Sequence, residues 1–174
     1  VQAQILDLLA DKQRERDMAM VLVTHDLGVV AGRTDETIVM YAGRVVEQAP
    51  TTDLFEGMRM PYTEALMQSI PRMDEPSHTP LLAIEGMPPD LTRPTRGCAF
   101  APRCPYVRDR CREEAPPLRT DATVGSGHQF ACWFPVGVEG ARPSGRRKAS
   151  VAALAPRKPA ASGSAAGATR KAKA

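Results

Sequence analysis

No apolar run in this chain is longer than six residues, the longest being Met18, Ala19, Met20, Val21, Leu22 and Val23. A membrane-spanning helix needs about 20, so none is encoded here. Aromatic residues are scarce at 5% and 16 prolines interrupt the chain, which predicts a small core and a good deal of loop. There is no initiator Met, basic leader or small-residue cleavage site at Val1, Gln2, Ala3 and Gln4. The opening therefore reads as a fragment of a longer protein and not as a secreted precursor. Acidic residues are missing altogether from residues 140–174, which hold nine Lys+Arg, whereas residues 1–139 hold 14 Lys+Arg against 20 Asp+Glu. The overall net charge of +3 thus averages a −6 body and a +9 tail.

What is present is a mixed α/β pattern. Val1, Ile5, Leu8 and Leu9 share one face of a helix predicted over residues 2–15. Residues 18–24 form a continuous apolar run that reads as a strand buried on both faces. Asp26 can cap a short helix over residues 27–33. Two β-rich runs, residues 37–41 and 44–48, flank Ala42 and Gly43, a hairpin signal. After Pro50, a helix is predicted over residues 51–56 with a Thr or Asp as its cap, and another over residues 62–69 with Pro61 in its first turn. Residues 72–94 read as an extended connector, with residues 81–84 as its best strand. The Ala, Lys and Arg-rich residues 140–174 cannot bury enough apolar surface to offset their ordering entropy and are expected to be disordered.

Two constellations carry chemistry. His25 stands just beyond the predicted buried strand, where α/β sheets place ligand groups; the plainer reading is a histidine that satisfies a loop carbonyl. Cys98, Cys104, Cys111 and Cys132 follow the pattern C-x5-C-x6-C-x20-C. Without an export signal they are expected to be metal thiolates and not disulfides. Zinc and a [4Fe-4S] cluster are both open, although zinc sites favour tighter pairs than any here and Pro105 after Cys104 is a ferredoxin-like detail. Arg96, Arg103, Arg108, Arg110 and Arg112 are expected to offset thiolate charge and lower the thiol pKa values. The basic tail has charge for nucleic acid or an anionic leaflet, but no interleaved aromatic to stack on bases, so nucleic acid is not the expected partner.

Residues 1–48, with Thr24, His25, Asp26 and Leu27 at their centre, resemble the last third of an ABC-transporter nucleotide-binding domain. Pro61, Tyr62, Thr63, Glu64, Ala65 and Leu66, followed by Gly97, Cys98, Ala99, Phe100, Ala101, Pro102, Arg103, Cys104 and Pro105, resemble the C-terminal extension of ATP-binding subunits of oligopeptide and dipeptide importers. The resemblance implies an α/β fold, the C-terminal part of a P-loop NTPase (ABC ATPase) domain. It divides the chain into nucleotide-binding-domain residues 1–50, a helical connection 51–71, a four-cysteine extension 72–139 and the tail 140–174. It implies that His25 is the switch histidine, contacting the ATP γ-phosphate and orienting the attacking water, and that the four cysteines hold an iron-sulfur cluster. It implies a parent that uses ATP and Mg²⁺ at the cytoplasmic face of a bacterial membrane. That parent would work with a second ATP-binding subunit, two membrane permeases and, through them, an extracytoplasmic peptide-binding protein. Met60 stands where the family has His, and Gly32, Arg33 and Glu36 depart from its apolar helix. No Gly-x-x-x-x-Gly-Lys-Ser/Thr phosphate loop is present, so this stretch by itself is expected neither to bind nor to hydrolyse ATP. A free-standing iron-sulfur or zinc module with a redox-sensing role is the alternative.

Overall fold

The structure is a computed structural model that describes residues 2–70, 83–93, 95–120 and 127–138. The tail, most of the first half of the connector, and Leu81 and Leu82 of its expected strand lie outside the described residues. Ala83 and Ile84, which are described, form no strand.

Helix α1 spans Gln2–Arg16, close to the predicted bounds. It buries none of its residues: Ile5, Leu8 and Leu9 are 53%, 56% and 43% exposed, so its apolar stripe faces outward. Ion pairs Lys12–Glu15 and Arg14–Asp11 decorate its last turns, and Arg33 reaches back to Asp7 at 2.7 Å. The predicted strand at residues 18–24 does not form. Those residues are irregular, with Val21 and Val23 about nine-tenths exposed at 90% and 91%. A strand needs a neighbour to take its N–H and C=O groups, and no described strand pairs with this segment. Helix α2, Leu27–Val30, is shorter than predicted; the Asp26 carboxylate caps it by accepting from Gly28 N at 2.8 Å, and Gly32 (φ +74°) follows it.

The hairpin forms as read. Strands β1, Glu36–Tyr41, and β2, Arg44–Pro50, pair antiparallel across Ala42 (φ 51°) and Gly43 (φ 73°). Two successive positive φ angles make a turn whose twist suits a two-residue hairpin. On β1, Thr37, Val39 and Tyr41 point inward and their neighbours outward. On β2, Val39 faces Glu47 and Met40 faces Val45, so Val46 is an extra residue, a β-bulge that buries two successive side chains. Helix α3, Thr51–Gly57, starts without a side-chain cap, contrary to expectation. The Thr51 hydroxyl is instead engaged by those of Thr37 and Thr34 at 2.8 and 2.9 Å. Helix α4, Pro61–Gln68, begins with Pro61 in its first turn. A short α5, Asp109–Glu113, precedes β3, Arg119–Thr120, and β4, Gln129–Phe130.

The sheet order is β1-β2-β4-β3, all antiparallel. The expected buried strand at residues 18–24 is therefore absent from this sheet, and the described residues form a small mixed α/β unit. Its core gathers Val39, Tyr41, Leu54, Met60, Phe100 and Phe130; the rings of Tyr41, Tyr62 and Phe100 meet tilted or edge-to-face with centroids 4.5 to 5.3 Å apart. Val30, Phe55, Met58, Met67 and Val136 form a second cluster. Among the described residues no helix is long and apolar enough to cross a membrane.

Candidate functional site: four thiols on one cavity

The first cysteine is placed by a backbone bond. Cys98 N donates to Cys111 O at 2.8 Å, and the two chains approach so closely that only glycine fits at 97: a Cβ there would run into the Cys111 and Arg112 carbonyls. The chain then turns through Ala101 N to Cys98 O and a 3-10 turn, Ala101–Arg103, onto Cys104. Cys111 sits on α5. Cys132 follows β4, and its carbonyl accepts from Arg119 at 2.8 Å. The result brings Cys98, Cys104, Cys111 and Cys132 onto one narrow apolar cavity with Phe100 and Trp133, and no disulfide joins any of them.

Burial dominates the thiol chemistry. It raises the Cys98 pKa and pushes Cys104 and Cys132 up to about 12, because a thiolate in apolar surroundings is poorly solvated. The other thiols add to the rise at all three, a sign of their closeness. Opposing it, backbone N–H groups of Phe100 and Ala101 aim at Cys98, that of Tyr106 at Cys104 and that of Phe134 at Cys132. These donors favour the charged form.

The arginines do something other than expected. Arg110 lies 3.5 Å over the Trp133 ring, Arg108 4.2 Å over Phe134 and Arg119 5.2 Å over Phe130. Arg103 donates to Ile84 O at 2.9 Å and Glu85 O at 3.0 Å. No guanidinium is among the causes that shift the three thiols; planar guanidinium groups have stacked on aromatic faces and tied down carbonyls. At Cys98, Cys104 and Cys132 the expected lowering of the thiol pKa is replaced by a rise.

The donor set suits a soft metal centre: four sulfurs, three of them with amides poised to stabilise negative charge. Yet among the described residues no three His, Cys, Asp or Glu side chains converge on a single ion-sized point.

His25 lies elsewhere. It is exposed, in a turn fixed by Asp26 N donating to Thr24 Oγ1 at 3.0 Å and by the Asp26 cap, and it does not line the cysteine cavity.

One buried polar constellation escapes the sequence reading. Glu47 and His128 are 0% and 1% exposed. The Glu47 carboxylate accepts from Arg59 N, from Met60 N at 3.2 Å and from His128 Nε2 at 2.8 Å. Met60, at the position of the family's His, is itself buried. The available signal was parity: Glu47 shares the inward face of β2 with Ala49.

The described residues thus make a small mixed α/β unit that carries four unpaired cysteines. Residues 46–111 match the family described as the oligopeptide/dipeptide transporter, C-terminal region. The chain is 48% identical over 132 residues to the oligopeptide transport ATP-binding protein OppD of Mycobacterium tuberculosis, covering 76% of this chain and 21% of that protein. It is 43% identical over 136 residues to OppD of Salmonella typhimurium (78% and 39%), and 47% identical over 133 residues to a probable peptide ABC transporter ATP-binding protein of Sinorhizobium fredii (76% and 39%). The chain thus corresponds to the C-terminal region of an oligopeptide/dipeptide ABC transporter ATP-binding protein. It spans about a fifth to two fifths of the length of these relatives.

Proposed function

We propose that the chain supplies the C-terminal part of an ATP-hydrolysing subunit that drives peptide import. The observation that carries this reading is the 43% to 48% identity to ATP-binding proteins of oligopeptide and peptide transporters across three quarters of the chain. In the intact subunit, paired with a second ATP-binding subunit on two permeases at the cytoplasmic face of a bacterial membrane, His25 contacts the ATP γ-phosphate and orients the attacking water. Phosphoryl transfer asks mainly for placed donors around the phosphate oxygens. The exposed turn held by Thr24 and Asp26 presents an imidazole free to meet such a ligand. The outward stripe of α1 and the exposed residues 18–24 are then surfaces for the remainder of the nucleotide-binding domain, where residues 18–24 gain the strand partners they lack. The peptide arrives from an extracytoplasmic binding protein through the permeases.

The same reading gives Cys98, Cys104, Cys111 and Cys132 a [4Fe-4S] cluster, with zinc as the alternative. The observation behind this reading is that all four sulfurs line one apolar cavity. A bound cluster would fasten the loops at Cys98 and Cys104 to α5 and to the chain after β4. The amides of Phe100, Tyr106 and Phe134 would steady the thiolates.

The test is His25→Ala in the intact subunit reconstituted with its permeases. ATP binding is expected to persist while hydrolysis falls about 10²- to 10³-fold; unchanged hydrolysis overturns the role. Anaerobic purification with metal analysis tests the cluster: iron and sulfide with visible absorption support it, and a colourless protein with one zinc overturns it.

A further inference from the structure

Beside the hairpin turn lies a second cavity, of about 380 Å³, a size within the roughly 300–1,000 Å³ of small-molecule sites. Ala42, Arg44, Val45 and Val46 form one wall, and residues from the 89–99 and 115–118 stretches form the others. Its surface divides by chemistry. Pro89, Leu91, Pro117 and Leu118 offer apolar area, and Leu91 and Leu118 remain 71% and 41% exposed, so the core does not consume it. The charged groups are Arg44, Arg93 and Asp90. Asp90 is occupied: its Oδ1 accepts from Thr92 N at 2.9 Å and from the Thr92 hydroxyl at 2.6 Å, while Oδ2 faces Arg93 at 3.7 Å. Arg44 has no hydrogen-bond or ion-pair partner among the described residues. Its backbone is fixed opposite Tyr41, at the first position after a tight turn, and its side chain is exposed.

We infer that this cavity binds a small amphipathic carboxylate, its head paired with Arg44 and its apolar or aromatic body laid against the prolines and leucines. A guanidinium without a partner on a preformed rim offers parallel N–H donors to a carboxylate, and rigid proline and leucine surface takes an apolar body at little entropic cost. An inorganic anion would leave the apolar wall unused, and a neutral molecule would leave the guanidinium without its ion. Cys98 lines both this cavity and the cysteine cavity, so a bound carboxylate lies next to the thiol centre. The inference does not depend on the transport reading.

The experiment titrates the ¹⁵N-labelled 174-residue chain with 3-phenylpropionate, 3-phenylpropanol and inorganic phosphate, following amide shifts. Phenylpropionate is expected to move the amides of Ala42, Arg44, Ala99 and Leu118, and to bind at least about tenfold more tightly than the alcohol or phosphate. Arg44→Gln should remove that preference, and Leu118→Asp should weaken phenylpropionate about tenfold while the spectrum elsewhere stays in place. Shifts confined to other residues, phosphate binding as tightly as phenylpropionate, or an Arg44→Gln variant with unchanged affinity would each overturn the inference. The two variants are on the exposed rim, so loss of folding in one leaves the other to decide.

Discussion

His128 Nε2 meets Glu47 Oε1 at 2.8 Å although the residues are 81 positions apart, and both side chains are wholly buried. A carboxylate only accepts, so Nε2 carries the proton and Nδ1 is left without a partner. The other Glu47 contacts are the amides of Arg59 and Met60, so one side chain ties β2, the entry to α4 and β4 together.

That role predicts a large effect of removing the carboxylate. Glu47→Ala should lose about 3–5 kcal/mol, because it strands a buried imidazole and two amides. His128→Ala should also destabilise, and the double variant should cost clearly less than the two singles together, as expected for groups in one network. Urea unfolding of the four proteins is the measurement; additive losses would show that the pair is not coupled.

Gly97 sets the distance between the Cys98 and Cys111 chains. Gly97→Ala places a methyl group against the Cys111 and Arg112 carbonyls and must break the Cys98 N to Cys111 O bond. A loss of about 1–3 kcal/mol is expected, together with faster reaction of the thiols with an alkylating reagent. A variant as stable and as slow to react as the wild type would refute the close packing.

Ala42 lies in the left-handed region at φ 51° without being glycine. Ala42→Gly should therefore stabilise the hairpin, by about 0.5–1 kcal/mol, since the strain of the methyl group outweighs the added freedom of glycine in the unfolded chain. A raised thermal midpoint checks this, and a lowered one contradicts the turn geometry.

The thiols make stability depend on alkaline pH in the metal-free chain. Cys104 and Cys132 titrate near 12 when folded, against an ordinary value of 9.0. Between those values the unfolded chain has lost protons that the folded chain retains. Their contribution is complete below pH 9 and is lost as pH rises toward 12. Urea midpoints measured upward from pH 8 should fall, and Cys104→Ala should flatten the decline; a midpoint that rises above pH 9 would overturn the burial of these thiols.

Local signals made much of this fold legible. The β1–β2 hairpin follows from two β-rich runs around Ala42 and Gly43, α4 from Pro61 at its start, and the α2 cap from Asp26, each needing only residues a few positions apart. The run at residues 18–24 misleads for a physical reason. Apolar, β-branched sequence records a preference for a buried strand, but a strand also needs a neighbour, and none is described beside it. The arginines near the cysteines mislead similarly, since nearness in sequence did not say that Trp133, Phe134 and Phe130 would arrive to receive them.

The sequence by itself determined the cysteine pattern, the family resemblance, the Asp26 cap beside His25 and the division of charge between an acidic body and a basic tail. The tertiary structure alone decided that four thiols share one cavity, that burial and not arginine governs the protons of Cys98, Cys104 and Cys132, that Glu47 finds His128, and that Arg44 stands free over an apolar wall. The first set rests on composition and short-range spacing. The second rests on which distant segments pack together, and desolvation and pairing exist only once they do.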